Sequence, residues 1–319
     1  MEDRKMVAAQ FIKEGHPKKL VLKNSGVPRS SFYYKPVKNH SKRGIQKSTH
    51  TKREDGIYVT NEQVVDQITV LLSKEFIDYG YLKVTHWPRN KQYYVINPKK
   101  VYRLMREAEI LNKFKARKKG KRNWVKELLP PAEVPFDYLE FDIKYIYVAG
   151  LNRNALLLTV IDVMSRWVVG HYMSWKVRKK DVIDLFDQIF EAYPLPRHIH
   201  VRNDNGSQFI AEKVQSYFKG RNVKQEFCKP ATPEQNAHIE SYHSILEKVI
   251  CQRYEFENLL EAQNTFNRFV EFYNFERIHS GIGYQSPNEY LLENGIKVDK
   301  NQLVLSMDSS SLKCSNAIY

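Results

Sequence analysis

From residue 138 onward the chain changes its periodicity, and this change limits the fold more than any other feature. Residues 138–148, 155–162 and 167–174 each read as strands, the first two joined by a turn containing Gly150 and Asn152. The run Tyr138-Leu139-Glu140-Phe141-Asp142 alternates as a half-buried strand does. A helix follows over Asp181–Tyr193, then a strand His198-Ile199-His200-Val201-Arg202 that leads to Asp204 and a turn at Asn205-Gly206. A helix from Ala211 to Arg221, a strand near 223–228 and a long helical pattern carrying Glu240 complete the series. In this order the first strand, the fourth strand and a late helix each deliver one acid: Asp142, Asp204 and Glu240. Three strands in hairpin succession followed by alternating helix and strand predict an α/β domain.

The last helix can be tested for facing. Ile239, Tyr242, Ile245, Leu246, Val249 and Ile250 recur at three- and four-residue steps and form a buried stripe. That leaves Glu240, His243, Ser244 and Glu247 on the polar side. Pro233-Glu234-Gln235-Asn236-Ala237 reads as a loop that presents the helix. Two carboxylates about 4 Å apart repel by roughly 4 kcal/mol at an effective dielectric near 20, so three converge only where a cation compensates. Mg²⁺ prefers oxygen ligands and keeps waters and substrate phosphate in its shell, so few protein carboxylates suffice. Two such ions can activate a hydroxyl and support the leaving oxygen of a phosphodiester, and no protein nucleophile is needed. Gln208 and Asn236 fit either site-lining roles or turn and capping roles. His243 fits either a substrate-facing position or that of an ordinary helix-face histidine.

Charge points the same way. Lys and Arg number 51 against 36 Asp and Glu, a net charge of +15, which suits a polyanionic partner. Seven of the ten residues from 113 to 122 are basic: Lys113, Lys115, Arg117, Lys118, Lys119, Lys121 and Arg122. They are candidate DNA contacts, with a solvated linker as the plain alternative. An amphipathic apolar face is missing from the run, which disfavours a membrane surface. No 18-residue apolar run occurs and the N-terminus lacks a signal-peptide core, so an intracellular protein without membrane association is expected. Cys228, Cys251 and Cys314 are too scattered for a disulfide framework or a CxxC metal site.

Ahead of the α/β region, residues 1–36 read as a small helix-turn-helix-like module, with helices over 5–14 and 17–24, a turn at Gly26 and a further helix opening at Pro28. Residues 37–59 read as a basic linker and 60–112 as a helical DNA-binding unit. In that unit Asn61 is the expected cap of a helix with Val64, Val65, Ile68, Leu71 and Leu72 on one face. Asn97-Pro98 starts another helix, with Val101, Leu104 and Met105 inward and Lys99, Lys100, Arg103 and Arg106 outward. A second basic linker spans 113–132, the catalytic core 133–295, and a tail 296–319. The helical modules are expected to recognise DNA and the core to carry the chemistry.

Specific motifs then carry a family resemblance. Phe141-Asp142-Ile143-Lys144-Tyr145-Ile146, Asn203-Asp204-Asn205-Gly206-Ser207-Gln208-Phe209 and Asn236-Ala237-His238-Ile239-Glu240-Ser241-Tyr242 resemble the DDE signature, and 35 residues separate the last two acids as in the family pattern. The chain resembles the DDE transposases of bacterial insertion-sequence family three, the OrfB product, within the retroviral-integrase superfamily. Ile161-Asp162-Val163-Met164-Ser165-Arg166, Phe272-Tyr273-Asn274, Arg277, His279 and Gly283 to Tyr290 look like further family motifs, and 79–106 resembles the helical pre-domain. The resemblance covers about 60–292 and implies a ribonuclease-H-like catalytic core.

It also implies that Asp142, Asp204 and Glu240 are catalytic metal ligands for Mg²⁺ or Mn²⁺, two ions being expected with DNA bound. The implied partners are double-stranded DNA at terminal inverted repeats and targets, other copies of the chain on paired ends, and a companion OrfA product. The implied location is the bacterial cytoplasm at the nucleoid. The rival readings are a nuclease or resolvase of the same fold without strand transfer, and a catalytically silent DNA-binding derivative. Many relatives carry a basic residue seven positions after the glutamate, where this chain has Glu247 followed by Lys248, which leaves Lys248 as the candidate DNA contact. Many also read Asp-Asn-Ala where this chain has Gln235-Asn236-Ala237. No His-His-Cys-Cys zinc module precedes the core, so a retroviral integrase proper is not expected.

Overall fold

The computed structural model describes residues 2–34, 47–112, 132–229 and 233–298. The basic run 113–122 lies outside the described residues, as does nearly all of the tail. The chain divides into two compact units, one over Met1–Ser48 and one over Thr49–Tyr319. In the first, α1 (Glu2–Lys13), α2 (Lys18–Ser25) and α3 (Arg29–Tyr33) enclose Ala8, Leu22 and Val27. Gly26 ends α2 at φ 64°, the left-handed cap that glycine takes without strain.

The second unit opens with a small antiparallel sheet, ordered β2-β1-β3, from β1 (His50–Arg53), β2 (Tyr58–Thr60) and β3 (Tyr94–Val95). Strands at 50–53 and 58–60 therefore stand in the stretch read as linker. Their central strand also pairs with residues some forty positions later, a partnership that local periodicity cannot display. Helix α4 (Asn61–Leu72) is capped by Thr60, not Asn61: Gln63 N–H donates to the threonine hydroxyl, and the Gln63 side chain accepts from Thr60 N–H. After α5 (Tyr81–Gln92), α6 (Pro98–Glu107) begins as expected, Asn97 Oδ1 accepting from Lys100 N–H at 2.8 Å. Val101, Leu104 and Met105 are buried beneath it.

The α/β region is a mixed five-stranded sheet ordered β6-β5-β4-β7-β8. Its strands are β4 (Tyr138–Val148), β5 (Arg153–Asp162), β6 (Val168–Ser174), β7 (Ile199–Asn203) and β8 (Val223–Phe227). The first three are antiparallel, while β7 and β8 run parallel to β4. Helices α7 (Lys179–Ala192) and α8 (Glu212–Gly220) cover one face, where Leu139 and Phe141 pack with Phe186, Phe209 and Phe218. Helices α9 (Ala237–Leu246) and α10 (Leu259–Phe275) cover the other over Ile146, Val148 and Leu157, and α11 (Pro287–Glu293) follows.

This three-layer, ribonuclease-H-like α/β architecture places β4 at the centre. Its first residues are consequently buried on both faces, not half-buried as the alternation suggested. At the β4–β5 turn, Gly150 passes so close to Glu257 that a Cβ would stand 2.3 Å from its carbonyl oxygen.

Several family-like motifs hold this frame together. Asp162, fully buried, accepts from Phe136 N–H at 3.0 Å and from Ser165 N–H at 2.7 Å, closing the β5–β6 turn. Asn274 on α10 bonds both backbone groups of Val168 on β6. Arg277 pairs with Asp78 at 2.5 Å, and Ile278 N–H donates to the Tyr79 hydroxyl. Ile278 lies in the same apolar cluster as Val64, Ile68, Val84 and Val101. The helical unit and the α/β region thus share a core, so a cut near Glu133 would expose apolar surface that the sequence assigned to a separate module.

Candidate active site

Asp142 projects from the covered middle of β4, on the strand face that α9 overlies, with its side chain 16% exposed. Its Oδ1 accepts from Ile143 N–H at 2.8 Å, and His243 Nδ1 stands 3.6 Å from its Oδ2. Burial pushes its carboxyl up to about 7, and the negative charges of Asp204 and Glu240 add to that rise. The Ile143 N–H bond and the Lys144 charge act in the opposite direction. Two acids far apart in sequence therefore bear on Asp142 in the folded chain.

Asp204 is exposed where β7 ends, and Gly206 N–H donates to its Oδ1 at 2.9 Å, fixing the turn after the strand. The neighbouring Asn203 is fully buried and accepts from Gln225 of β8 at 2.9 Å. Gln208 folds over the same turn, since a Cβ on Gly206 would meet its Nε2 at 2.6 Å. Glu240 is exposed in the first turn of α9, which a 3₁₀ turn over Pro233–Asn236 leads into. Asn236 is buried and makes no side-chain cap bond, and its Oδ1 has no partner among the described residues.

The structure corrects the facing argument for α9. His243 is buried against β4, not displayed on a polar side, because this helix lies flat on the sheet. Burial holds its imidazole down at about 4, with the Lys144 charge adding to the effect. Beyond Leu246 the winding changes to a π turn over Glu247–Cys251. Glu247 turns toward β4 and pairs with Lys144 at 3.0 Å. Lys248 is exposed, and its charge is felt at Asp78 and Lys83 of the helical unit.

Replacing Glu247 by Lys would break a partly exposed ion pair worth about 1 kcal/mol or less. It would also leave two neighbouring cations beside the acids. The expected result is several-fold tighter DNA binding with a salt dependence steeper by about one unit. Titration across a salt series checks it, and an unchanged slope would mean that this segment does not follow the DNA.

Glu140, Arg202 and Lys144 join the elements that carry the acids, and little in the sequence marks them for that role. Glu140 Oε2 accepts from His238 and Ile239 N–H, and Arg202 donates to the Gln235 carbonyl at 2.8 Å and to Glu226 at 2.9 Å. The available signal was a charged residue, Glu140, two positions from Asp142 in a strand otherwise bound for the core.

Among the described residues no three His, Cys, Asp or Glu side chains form a ready-made metal cage. The donor set is nonetheless all oxygen, with one carboxylate held partly neutral by burial and two open to solvent. That chemistry fits a hard cation that completes its shell with water and phosphate.

The chain is similar to known proteins over most of its described length. An integrase core domain matches residues 132–233, a second integrase core description matches 221–287, and an HTH-like domain matches 60–119. The chain is 32% identical over 146 residues to the transposase for insertion sequence element IS904 of Lactococcus lactis, covering 45% of this chain and 57% of that protein. It is 27% identical to the 39.2 kDa protein of insertion element IS476 of Xanthomonas euvesicatoria, covering 72% of this chain and 64% of that one. The putative transposase InsK for insertion sequence element IS150 of Escherichia coli is 25% identical over 88% of this chain and 95% of its own length. Among solved structures, the HTLV-2 integrase catalytic core domain in complex with magnesium superposes with a TM-score of 0.39 at 15% identity, over 49% of this chain and 97% of that one. No described helix is long and apolar enough to cross a membrane.

Proposed function

Because this chain belongs to the integrase-core transposases of insertion-sequence family three, the OrfB-like proteins, we propose that it catalyses metal-dependent cleavage and strand transfer at the ends of its own element. The observation that carries the proposal is the placement of three acids by separate elements, Asp142 on β4, Asp204 at the end of β7 and Glu240 on α9, near enough for the charges of the last two to bear on the buried Asp142. These carboxylates would hold Mg²⁺ or Mn²⁺. When bound, two such ions activate the attacking hydroxyl and stabilise the leaving oxygen.

The chain's own groups supply the rest. Asp142 must shed its proton to serve as a ligand, and at about 7 it does so near neutral pH. Lys144 and Glu247 set the charge beside it. The basic residues Lys113, Lys115, Arg117, Lys118, Lys119, Lys121 and Arg122, with Lys248, are proposed to bind the phosphates of double-stranded DNA at element ends and target. Paired ends call for more than one copy of the chain, and a companion OrfA product is a further proposed partner.

Strand transfer with pre-cleaved ends tests this reading against a nuclease that only hydrolyses. Activity is expected with Mg²⁺ or Mn²⁺, while Ca²⁺ supports binding with little chemistry, since its longer, looser coordination positions an in-line attack poorly. Robust cleavage in EDTA would sink the metal-dependent mechanism.

A further inference from the structure

Glu140 is 2% exposed in the central strand of the sheet, two residues before Asp142 and on the same strand face. A carboxylate at such a place calls for a reason, since burying one without partners is costly. Its partners are the free amides that open α9: Oε2 accepts from His238 N–H and from Ile239 N–H, each at 2.9 Å. A helix start of this kind is ordinarily capped by the preceding residue, yet Asn236 makes no such bond. The cap is supplied instead by a strand 98 residues earlier, and its negative charge suits the positive end of the helix dipole.

A second strand grips the same helix start. Arg202 of β7 donates to the Gln235 carbonyl at 2.8 Å, and is itself held by Glu226 at 2.9 Å and over the Tyr138 ring at 4.9 Å. The two strands that carry or lead to Asp142 and Asp204 therefore hold the helix that carries Glu240, one at its first turn and one at the 3₁₀ turn just before it. Glu240 follows Ile239 directly, so its backbone is set by the Glu140 bonds.

We propose that Glu140 is a positioning residue, fixing the start of α9 on β4 so that Glu240 faces Asp142. This rests on the reading of the three acids as one site. Full-length protein carrying Glu140→Gln, Glu140→Ala or Glu140→Asp tests it. Gln keeps an acceptor oxygen at the same reach. Ala removes it, and Asp withdraws it by one methylene, which serves if the Ala variant fails to fold.

Displacement of a catalytic group by about 1 Å costs on the order of 10²-fold in rate. Loss of an orienting partner weakens metal affinity by about 10–100-fold. The expected result is therefore a strand-transfer rate at saturating DNA down by about 30–100-fold in Ala or Asp and within about threefold of wild type in Gln. DNA affinity should be unchanged in all three. Amide exchange at His238 and Ile239 should accelerate at least about tenfold in Ala and Asp but not in Gln, and Mn²⁺ affinity should follow the same order.

Wild-type rate and Mn²⁺ affinity in Ala, or a Gln variant as impaired as Ala with both amides still protected, would overturn the proposal. Failure of the transposase reading looks different. Wild type and Asp142→Asn would then show the same strand transfer, while the exchange and Mn²⁺ measurements would still decide the role of Glu140.

Discussion

Substituting Asp142 or Asp204 by Asn, or Glu240 by Gln, is expected to reduce cleavage and joining by on the order of 10³-fold or more, the scale seen when one member of a catalytic unit is lost. Each change removes a proposed metal ligand while leaving the side-chain volume nearly constant, so DNA binding should persist. Near-normal strand transfer by any one variant would remove that residue from the site.

Stability should move the other way at Asp142. Its folded-state carboxyl is raised from 3.8 to about 7 by burial and by Asp204 and Glu240, so the ionised form is disfavoured by folding. The resulting cost is absent below the unfolded value near 4, grows as pH rises, and is complete above about 7. Asp142→Asn in metal-free protein should therefore be more stable than wild type at pH 8, by on the order of 2–4 kcal/mol, and no more stable at pH 4. Denaturant titrations at the two pH values decide this, and an advantage that did not vary with pH would mean that the carboxyl is not shifted.

The second large effect is expected at Arg277, which pairs with Asp78 of the helical unit. The residue is 1% exposed, and its guanidinium bonds Asp78 at 2.5 Å and lies over the Tyr79 ring. Burial alone would raise the Asp78 carboxyl, but Arg277 overrides it and holds the group below its usual range. Arg277→Ala leaves that carboxylate buried without its cation, and breaking such a pair typically costs about 3–5 kcal/mol. Because the Asp78 value is depressed in the folded protein, the pair's contribution is present above about pH 4 and is lost as pH falls through the lowered value. Thermal melts should show a deep loss at pH 7 that narrows in acid. Arg277→Ala with an unchanged melting temperature at pH 7 would mean that this tie between the helical unit and the α/β region carries no stability.

Much of the fold was legible in the sequence because local rules governed it. Strands β4, β5 and β6, the helices between and after them, and the Asn97-Pro98 start of α6 all follow from periodicity and capping chemistry. Even the delivery of three acids by a first strand, a fourth strand and a late helix could be read from element order alone. The small sheet could not, because β1 acquires its second partner from residues 94–95, and neither run is long enough to show a period.

The surroundings of the acids were equally out of reach. Glu140 looks like any charged residue in an alternating run until α9 is laid across β4 and its amides meet the carboxylate. Lys144 and Glu247 form a pair only because α9 is laid across β4.

The sequence by itself determined which elements carry Asp142, Asp204 and Glu240, and the motifs on which the family resemblance rests. Tertiary structure alone decided the environment of those residues: that burial pushes the Asp142 carboxyl up to about 7, that His243 faces β4, and that the helical unit shares a core with the α/β region. The physical reason is range. Periodicity, caps and turns are interactions over a few residues, whereas burial, charge coupling and capping by a distant strand depend on groups that only the folded chain brings together.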